Sequence, residues 1–198
     1  MFVTFEGIDG SGKSTQAELL VAALREEGRE VVLTREPGGT ELGERVRDLL
    51  LAGPPISPWA EAALFASARA ELVAQVVRPA LERGADVVCD RYVDSSLAYQ
   101  GIARGLGVDH VLELNRPAIG DLLPDRTFLL RVDAELAGAR SAPEPDRIER
   151  EGAVFRERVE AAYDELAGTF ADRIVAVDGS LPPKEIAARV AEQVRELS

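Results

Sequence analysis

The glycine-rich loop near the start of the chain constrains its structure more than any other segment. Residues 7–14 read Gly-Ile-Asp-Gly-Ser-Gly-Lys-Ser and fit the pattern G-x-x-x-x-G-K-S/T, between an apolar strand-length run and an amphipathic stretch. Glycines let the backbone wrap closely around a phosphate and point its N–H groups inward. The helix that follows adds the positive end of its dipole. The sequence therefore predicts a nucleotide-phosphate site in this loop.

The end of the loop carries the two side chains with the clearest expected tasks. Lys13 is expected to reach the β- and γ-phosphates, and the Ser14 hydroxyl is expected to ligate Mg²⁺. The chain contains only one other lysine, Lys184, so a lysine at this position is unlike its overall composition. The residues predicted to bind the nucleotide are Gly7, Ile8, Asp9, Gly10, Ser11, Gly12, Lys13, Ser14 and Thr15.

Short apolar runs alternate with longer amphipathic stretches along the whole chain. The runs predict strands at residues 2–5, 31–33, 87–89, 128–132 and 174–177, and apolar residues at helical spacing lie between them. Each run is continuously apolar, as in strands that are covered on both faces. We therefore predict one α/β domain over residues 1–198, with a five-stranded parallel sheet flanked by helices in three layers.

The composition limits the partners that this chain can have. Among its 198 residues, 23 Lys and Arg stand against 35 Asp and Glu, which gives a net charge of −12. This balance argues against a nucleic-acid binder, which needs a basic face. No apolar run approaches the roughly 18 residues of a membrane span, and the N-terminus lacks the basic region of a signal peptide. A single cysteine excludes an intramolecular disulfide, so we expect a soluble, cytoplasmic protein without membrane partners.

Charged side chains follow two of the predicted strands. Asp90 ends the third strand, and such an acid lies beside the phosphate loop and orients Mg²⁺ in proteins of this kind. Arg35 follows the second strand and Arg91 follows the third. In doubly wound sheets, ligands bind at the carboxyl ends of the strands. We therefore predict that Asp90 lies at a metal site and that both arginines face bound phosphates.

Several classes of nucleotide-binding protein share such a loop. A GTPase switch needs the sequence N-K-x-D, and neither lysine of this chain follows an asparagine. A larger ATPase machine usually needs a longer chain. A small kinase fits the length, and an ATP-binding regulatory module is the alternative that is not an enzyme.

Five segments together are more specific than the loop alone. Residues 5–15 (FEGIDGSGKST), 34–40 (TREPGGT), 64–69 (LF-x-x-x-R), 90–101 (DRYVDSS-x-AYQG) and 146–149 (DRIE) resemble, in order and spacing, the bacterial thymidylate kinase family. The resemblance covers essentially the whole chain. It implies transfer of the γ-phosphoryl group of ATP to dTMP, with Mg²⁺, by a cytoplasmic homodimer of the P-loop kinase fold. Another small P-loop kinase, such as a different nucleoside monophosphate kinase, remains the alternative.

The resemblance also implies which residues bind the acceptor. Phe65 and Arg69 are four residues apart on a predicted helix and therefore share one face. By resemblance, Phe65 stacks on the pyrimidine ring and Arg69 donates to its O4 atom. Without the resemblance, Phe65 would be interpreted as a core residue.

Further acceptor contacts are implied in the same way. Tyr99 resembles the residue that crowds the ribose 2′ position, and Ser96 and Gln100 resemble residues beside the base. Asp9 resembles the acid of the phosphate loop that meets the acceptor's 3′-hydroxyl. Pro37 resembles a cis-proline of the family, although the sequence alone favours a trans bond.

A lid is expected at about residues 140–150. Some family members carry an arginine in the phosphate loop, whereas position 10 here is glycine, so this chain resembles the type whose arginines come from the lid. Arg147 is then the expected catalytic lid residue beside Lys13 and Arg91, and Arg150 would close with it. Arg140 is expected to lie against the adenine. The stretch from position 142 to 145 (Ala-Pro-Glu-Pro) departs from the arginine-rich lids of relatives.

Overall fold

The computed structural model describes residues 1–140 and 144–197, apart from the side chain of Ala134, and contains the predicted parallel sheet. Its strands are β1 (Phe2–Glu6), β2 (Val31–Arg35), β3 (Asp86–Asp90), β4 (Arg126–Arg131) and β5 (Ile174–Asp178). They are ordered β2-β3-β1-β4-β5, and every neighbouring pair is parallel. The predicted fold class is confirmed.

Helices cover both faces of this sheet. In chain order they are α1 (Lys13–Glu26), α2 (Glu41–Leu51), α3 (Pro58–Leu72), α4 (Arg78–Glu82), α5 (Val93–Ser96), α6 (Val108–Ile119), α7 (Ala134–Arg140), α8 (Ala153–Thr169) and α9 (Pro183–Arg195). Helices α1 and α9 pack on Val3 and Phe5, whereas α3, α5, α6 and α8 pack on the face that contains Phe2. Successive strand residues point to opposite faces, so each strand contributes to two core layers.

Two π-helical segments interrupt the helical regions. The helical region that contains α3 begins after Ser57, whose hydroxyl accepts a hydrogen bond from the Ala60 N–H. It is α-helical only to Leu72 and is π-helical over Val73–Val77. A second π-helical segment, Leu97–Ala103, contains residues predicted to bind the acceptor. Such segments often occur at functional sites, and apolar spacing does not reveal them.

Within the described residues, no helix has the length and apolar character that crossing a membrane would require.

Candidate active site

The phosphate loop is held in shape by glycines and by its own lysine. Gly7 has φ +135°, and a Cβ atom there would lie 2.6 Å from the Leu130 carbonyl oxygen. Gly12 precedes α1 in a left-handed conformation. Lys13 Nζ donates to the Ile8 carbonyl oxygen at 2.8 Å and lies 3.8 Å from Asp9 Oδ1. Burial and the nearby charge of Arg91 together lower the pKa of Lys13 to about 8, although the charge of Asp9 opposes this shift.

Ser14 and Asp90 meet at the predicted metal site. Ser14 Oγ donates to Asp90 Oδ2 at 2.5 Å, which brings the first residues of α1 to the end of β3. Asp90 Oδ1 is buried and has no hydrogen-bond partner. Mg²⁺ prefers oxygen donors and is usually held by one or two protein groups together with phosphates and waters. These two side chains therefore fit a Mg²⁺ ion, although the described residues contain no cluster of three or more His, Cys, Asp or Glu.

Arg91 stands at the junction of the loop and the sheet edge. Its backbone has φ +70°, the single positive value found at a non-glycine position in the described chain. Its guanidinium donates to Asp9 Oδ1 at 2.7 Å and lies over the ring of Tyr99 at 5.4 Å. Burial raises the pKa of Asp9, but the charges of Arg91 and Lys13 outweigh burial and lower the pKa to about 2. A strained backbone at such a position is typical of functional sites.

A cavity of about 500 Å³ adjoins Arg91 and contains most of the predicted acceptor residues. It is lined by Asp9, Glu36, Pro37, Arg47, Leu51, Phe65, Arg91, Ser95, Ser96, Tyr99, Gln100, Asp146 and Ile148. Phe65 also packs against the small cluster of Val46 and Leu50, so its core role and its cavity role coexist. The peptide bond between Glu36 and Pro37 is cis, as the resemblance implied.

Arg69 lies behind this cavity and is completely buried. Its guanidinium donates to Glu36 Oε2 at 2.5 Å and to Ser96 Oγ at 3.1 Å, and it also contacts the side chain of Asn115. Burial raises the pKa of Glu36 to about 7, although Arg69 opposes this shift. Because its hydrogen-bonding nitrogens are used within the protein, the donation of Arg69 to a base O4 atom stays a prediction.

A second cavity, of about 990 Å³, surrounds the phosphate loop. Its lining includes Lys13, Ser14 and Asp90, together with four arginines, Arg35, Arg47, Arg91 and Arg140. Arg35 is half exposed and donates to both carboxylate oxygens of Glu44 at 2.9 and 3.0 Å. The sequence placed Arg35 and Asp90 at one sheet edge, and the structure brings both to this cavity.

Comparisons with known proteins agree with this arrangement. A model of the thymidylate kinase family matches residues 5–190. The chain is 50% identical to a thymidylate kinase of Thermomicrobium roseum, over 99% of this chain and 95% of that protein, and 46% identical to one of Bifidobacterium longum, over 100% and 98%. The chain belongs to the thymidylate kinase family. The crystal structure of thymidylate kinase from Ehrlichia chaffeensis has a TM-score of 0.81 at 34% identity, over 98% of both chains.

Within this thymidylate kinase fold, the predicted lid arginines lie in different places. Arg140 donates to the Gly179 carbonyl oxygen at 2.9 Å, near the phosphate loop. Arg147 Nε donates to the Leu50 carbonyl oxygen at 2.6 Å, and its terminal nitrogen donates to Glu61 at 2.7 Å. Arg150 is exposed and donates to the Pro145 carbonyl oxygen. Three residues of the predicted lid, Ser141, Ala142 and Pro143, lie outside the described residues.

The sequence did not identify a buried network beneath Arg91. Ser95 Oγ and Tyr163 Oη both accept hydrogen bonds from Arg91 at 3.1 Å. Both hydroxyls also donate to Glu6 Oε2, at 2.5 and 2.8 Å. Burial raises the pKa of Glu6, and the charge of Asp94 raises it further. Tyr163 lies on α8, and no local sequence pattern indicates its contact with Glu6.

Arg47 was also missed. It lies on α2, donates to the Pro37 carbonyl oxygen at 3.0 Å and lines both cavities. In the sequence, Arg47 looks like any solvent-exposed arginine of an amphipathic helix, so no pattern indicates that it lines a binding cavity.

Proposed function

We propose that this chain transfers the γ-phosphoryl group of ATP to dTMP and releases dTDP and ADP. One observation carries the proposal: the two cavities share Asp9, Glu36, Arg47 and Arg91. A nucleotide bound on the phosphate loop and an acceptor bound in the smaller cavity would therefore meet at the Arg91 guanidinium. In-line transfer between two nucleotides requires this adjacency.

The chemistry needs positioning and positive charge more than it needs a base. A phosphate acceptor is already ionised near neutral pH, so no side chain has to remove a proton from it. The obstacle is the approach of two polyanions, and Lys13 and Arg91 supply charge on the two sides of the transferred group. Ser14 and Asp90 would hold Mg²⁺, which supplies further charge neutralisation at the donor phosphates when it is bound.

The position of Tyr99 in the acceptor cavity supports a deoxyribonucleotide, rather than a ribonucleotide, as the substrate. The Tyr99 ring lies edge-on to Phe155 and Tyr163, with ring centroids 6.3 and 6.2 Å apart, and is therefore held firmly at the cavity wall. Its predicted task is to occupy the space of a ribose 2′-hydroxyl. The ratio of kcat/KM values for dTMP and its ribo counterpart measures that task, and an unchanged ratio in Tyr99→Ala would remove Tyr99 from the sugar site.

The proposal extends to assembly and location. Leu42 and Leu49 on α2 are seven residues apart on one helical face, and they are 44% and 53% exposed. Together with the half-exposed Trp59, they support a homodimer that forms through α2 and α3. We propose that this homodimer works in the cytoplasm on small-molecule substrates, without nucleic acid. Light scattering of Leu49→Glu tests the assembly: we expect a monomer, and an unchanged mass would place any interface elsewhere. Cell fractionation tests the location.

A coupled assay of ADP release tests the reaction itself. The acceptors are dTMP, dUMP, AMP, CMP and shikimate, each with ATP and Mg²⁺. We expect the highest kcat/KM with dTMP. A preference for AMP, CMP or shikimate would favour another small kinase, and release of almost no ADP with every acceptor would favour a regulatory module. EDTA should abolish turnover, and added Mg²⁺ should restore it.

A further inference from the structure

We propose that the buried carboxylate of Glu61 sets the orientation of the Gln100 side-chain amide, so that the cavity presents a hydrogen-bond acceptor to the N3–H group of the acceptor base. The inference rests on the proposed function and names Glu61 as a positioning residue for base specificity. Glu61 lies in the first turn of α3, where its sequence position indicates only a favourable charge at a helix N-terminus.

The surroundings of Glu61 fix its charge. Its side chain is 1% exposed and accepts hydrogen bonds from Gln100 at 2.9 Å, from Arg104 at 3.2 Å and from Arg147 at 2.7 Å. Burial alone raises the pKa of Glu61, but these hydrogen bonds outweigh burial and lower it. The carboxylate is therefore ionised at neutral pH, and an ionised carboxylate only accepts hydrogen bonds.

The Glu61 carboxylate is a hydrogen-bond acceptor, so it determines which end of the Gln100 side-chain amide faces the acceptor cavity. Gln100 is 1% exposed, and its Nε2 atom donates to Glu61 Oε1. The opposite orientation would place the amide oxygen against the carboxylate, with two acceptors in contact and a buried donor unpaired. The amide oxygen is consequently the group that remains for the acceptor cavity, which Gln100 lines. Among the described residues, no donor contacts this oxygen.

The neighbouring Ser96 has the complementary polarity. Its Oγ accepts a hydrogen bond from Arg69, so its hydroxyl hydrogen is available to a second partner. Ser96 also lines the cavity. The wall therefore offers an acceptor at Gln100 and a donor at Ser96. Thymine and uracil present a donor at N3 and an acceptor at O4, whereas cytosine presents an acceptor and a donor at these positions.

This arrangement predicts how strongly the base is selected. A buried site that is built for one hydrogen-bond pattern rejects the opposite pattern strongly, because the mismatched groups stay unpaired. Glu61→Gln replaces an obligate acceptor by an amide that accepts or donates, and Gln100 then becomes free to turn. We expect the kcat/KM ratio of dTMP to dCMP to fall by about tenfold or more in this variant, by the loss of one buried hydrogen-bond preference.

Two further variants separate this role from a general structural one. Arg104→Gln removes another partner of Glu61 but leaves its contact with Gln100, so we expect the dTMP to dCMP ratio to remain within about twofold of wild type. Gln100→Met removes the amide, so the ratio should fall, and adding Glu61→Gln to Gln100→Met should lower it no further. In every variant, the ratio of dTMP to its ribo counterpart should stay unchanged.

Several outcomes would overturn the proposal. The first is an unchanged ratio of kcat/KM for dTMP to that for dCMP in Glu61→Gln. The second is an equal fall of this ratio in Arg104→Gln, and the third is a further fall when Glu61→Gln is added to Gln100→Met. Retention of the wild-type ratio in Gln100→Met overturns it even where Glu61→Gln fails to fold. Failure of the proposed function looks different, because wild-type protein itself would then show no preference for dTMP.

Discussion

The guanidinium of Arg91 donates to Asp9 Oδ1 at 2.7 Å and thereby joins the end of β3 to the phosphate loop. The arginine that faces the acceptor cavity is thus positioned by the same loop that is predicted to bind the donor. The two predicted ligand sites therefore share this ion pair.

Arg91→Lys tests whether this position needs a fork of donors or only a charge. Arg91 contacts Asp9, Ser95 and Tyr163 at once, and an ammonium group cannot reproduce that planar geometry. Losing one or two charge-assisted hydrogen bonds costs about 1.5–3 kcal/mol each, so kcat/KM for dTMP should fall by at least about tenfold. Steady-state kinetics with Arg91→Ala as the lower limit provide the measurement. Full activity of Arg91→Lys would show that charge alone suffices.

Tyr163→Phe tests the support beneath Arg91. The change keeps the ring but removes the hydroxyl that accepts from Arg91 and donates to Glu6. Loss of one buried hydrogen bond should raise the KM for dTMP by about threefold to tenfold, with little change in the KM for ATP. Ser95→Ala perturbs the same network, so the two effects should be less than additive. An equal rise in both KM values would indicate a general loss of structure.

The contacts of Tyr163 also show where sequence reasoning ends. The phosphate loop, the parallel sheet and the carboxyl ends that carry Arg35, Asp90 and Arg91 follow from local patterns, because parallel strands bring their ends to one edge. The side chains that position the site are instead distant in the chain: Glu6 and Tyr163 are 157 residues apart.

Arg69 shows that a residue placed correctly on a helix can still be buried more deeply than its sequence position suggests. Helical spacing correctly put it beside Phe65, yet the structure buries its guanidinium against Glu36 rather than exposing it to the cavity. Sequence spacing shows which residues lie on the same face of a helix. How deeply that face is buried depends on the other elements that pack over it. Only tertiary contacts determine that depth.

The pH dependence of kcat/KM for ATP should follow the ionisation of the Lys13 ammonium group. Its pKa is lowered to about 8 in the free protein, so the group is charged below that pH and becomes neutral above it. We expect kcat/KM for ATP to decline above about pH 8. Bound phosphates favour the charged ammonium, so kcat should hold to a higher pH. Measured pH profiles test this, with Lys13→Ala, which should lose on the order of a thousandfold in turnover, as the variant without this decline.

The lid arginines test which residue supplies the positive charge that the transferred phosphoryl group needs on the ATP side. Gly10 leaves the phosphate loop without an arginine, and the transferred phosphoryl group needs a further cation from elsewhere. Arg147 is the predicted source, but in this structure it is bound to Glu61 and the Leu50 carbonyl oxygen. To reach ATP, it must exchange those contacts for phosphate when the lid closes, whereas Arg140 already lines the cavity around the phosphate loop.

We therefore expect Arg147→Ala to lose turnover, by about a thousandfold for a fully engaged arginine, with a much smaller loss of ATP affinity. Gly10→Arg in that background should restore part of the loss, and only part, because position 10 has φ +79° and a side chain there is strained. Single-turnover phosphoryl transfer in wild type, Arg147→Ala and the double variant is the measurement, with thermal melting to check folding. If Arg147→Ala transfers phosphate as fast as wild type while Arg140→Ala is slow, the cation comes from the end of α7 and Arg147 serves only the contact with Glu61.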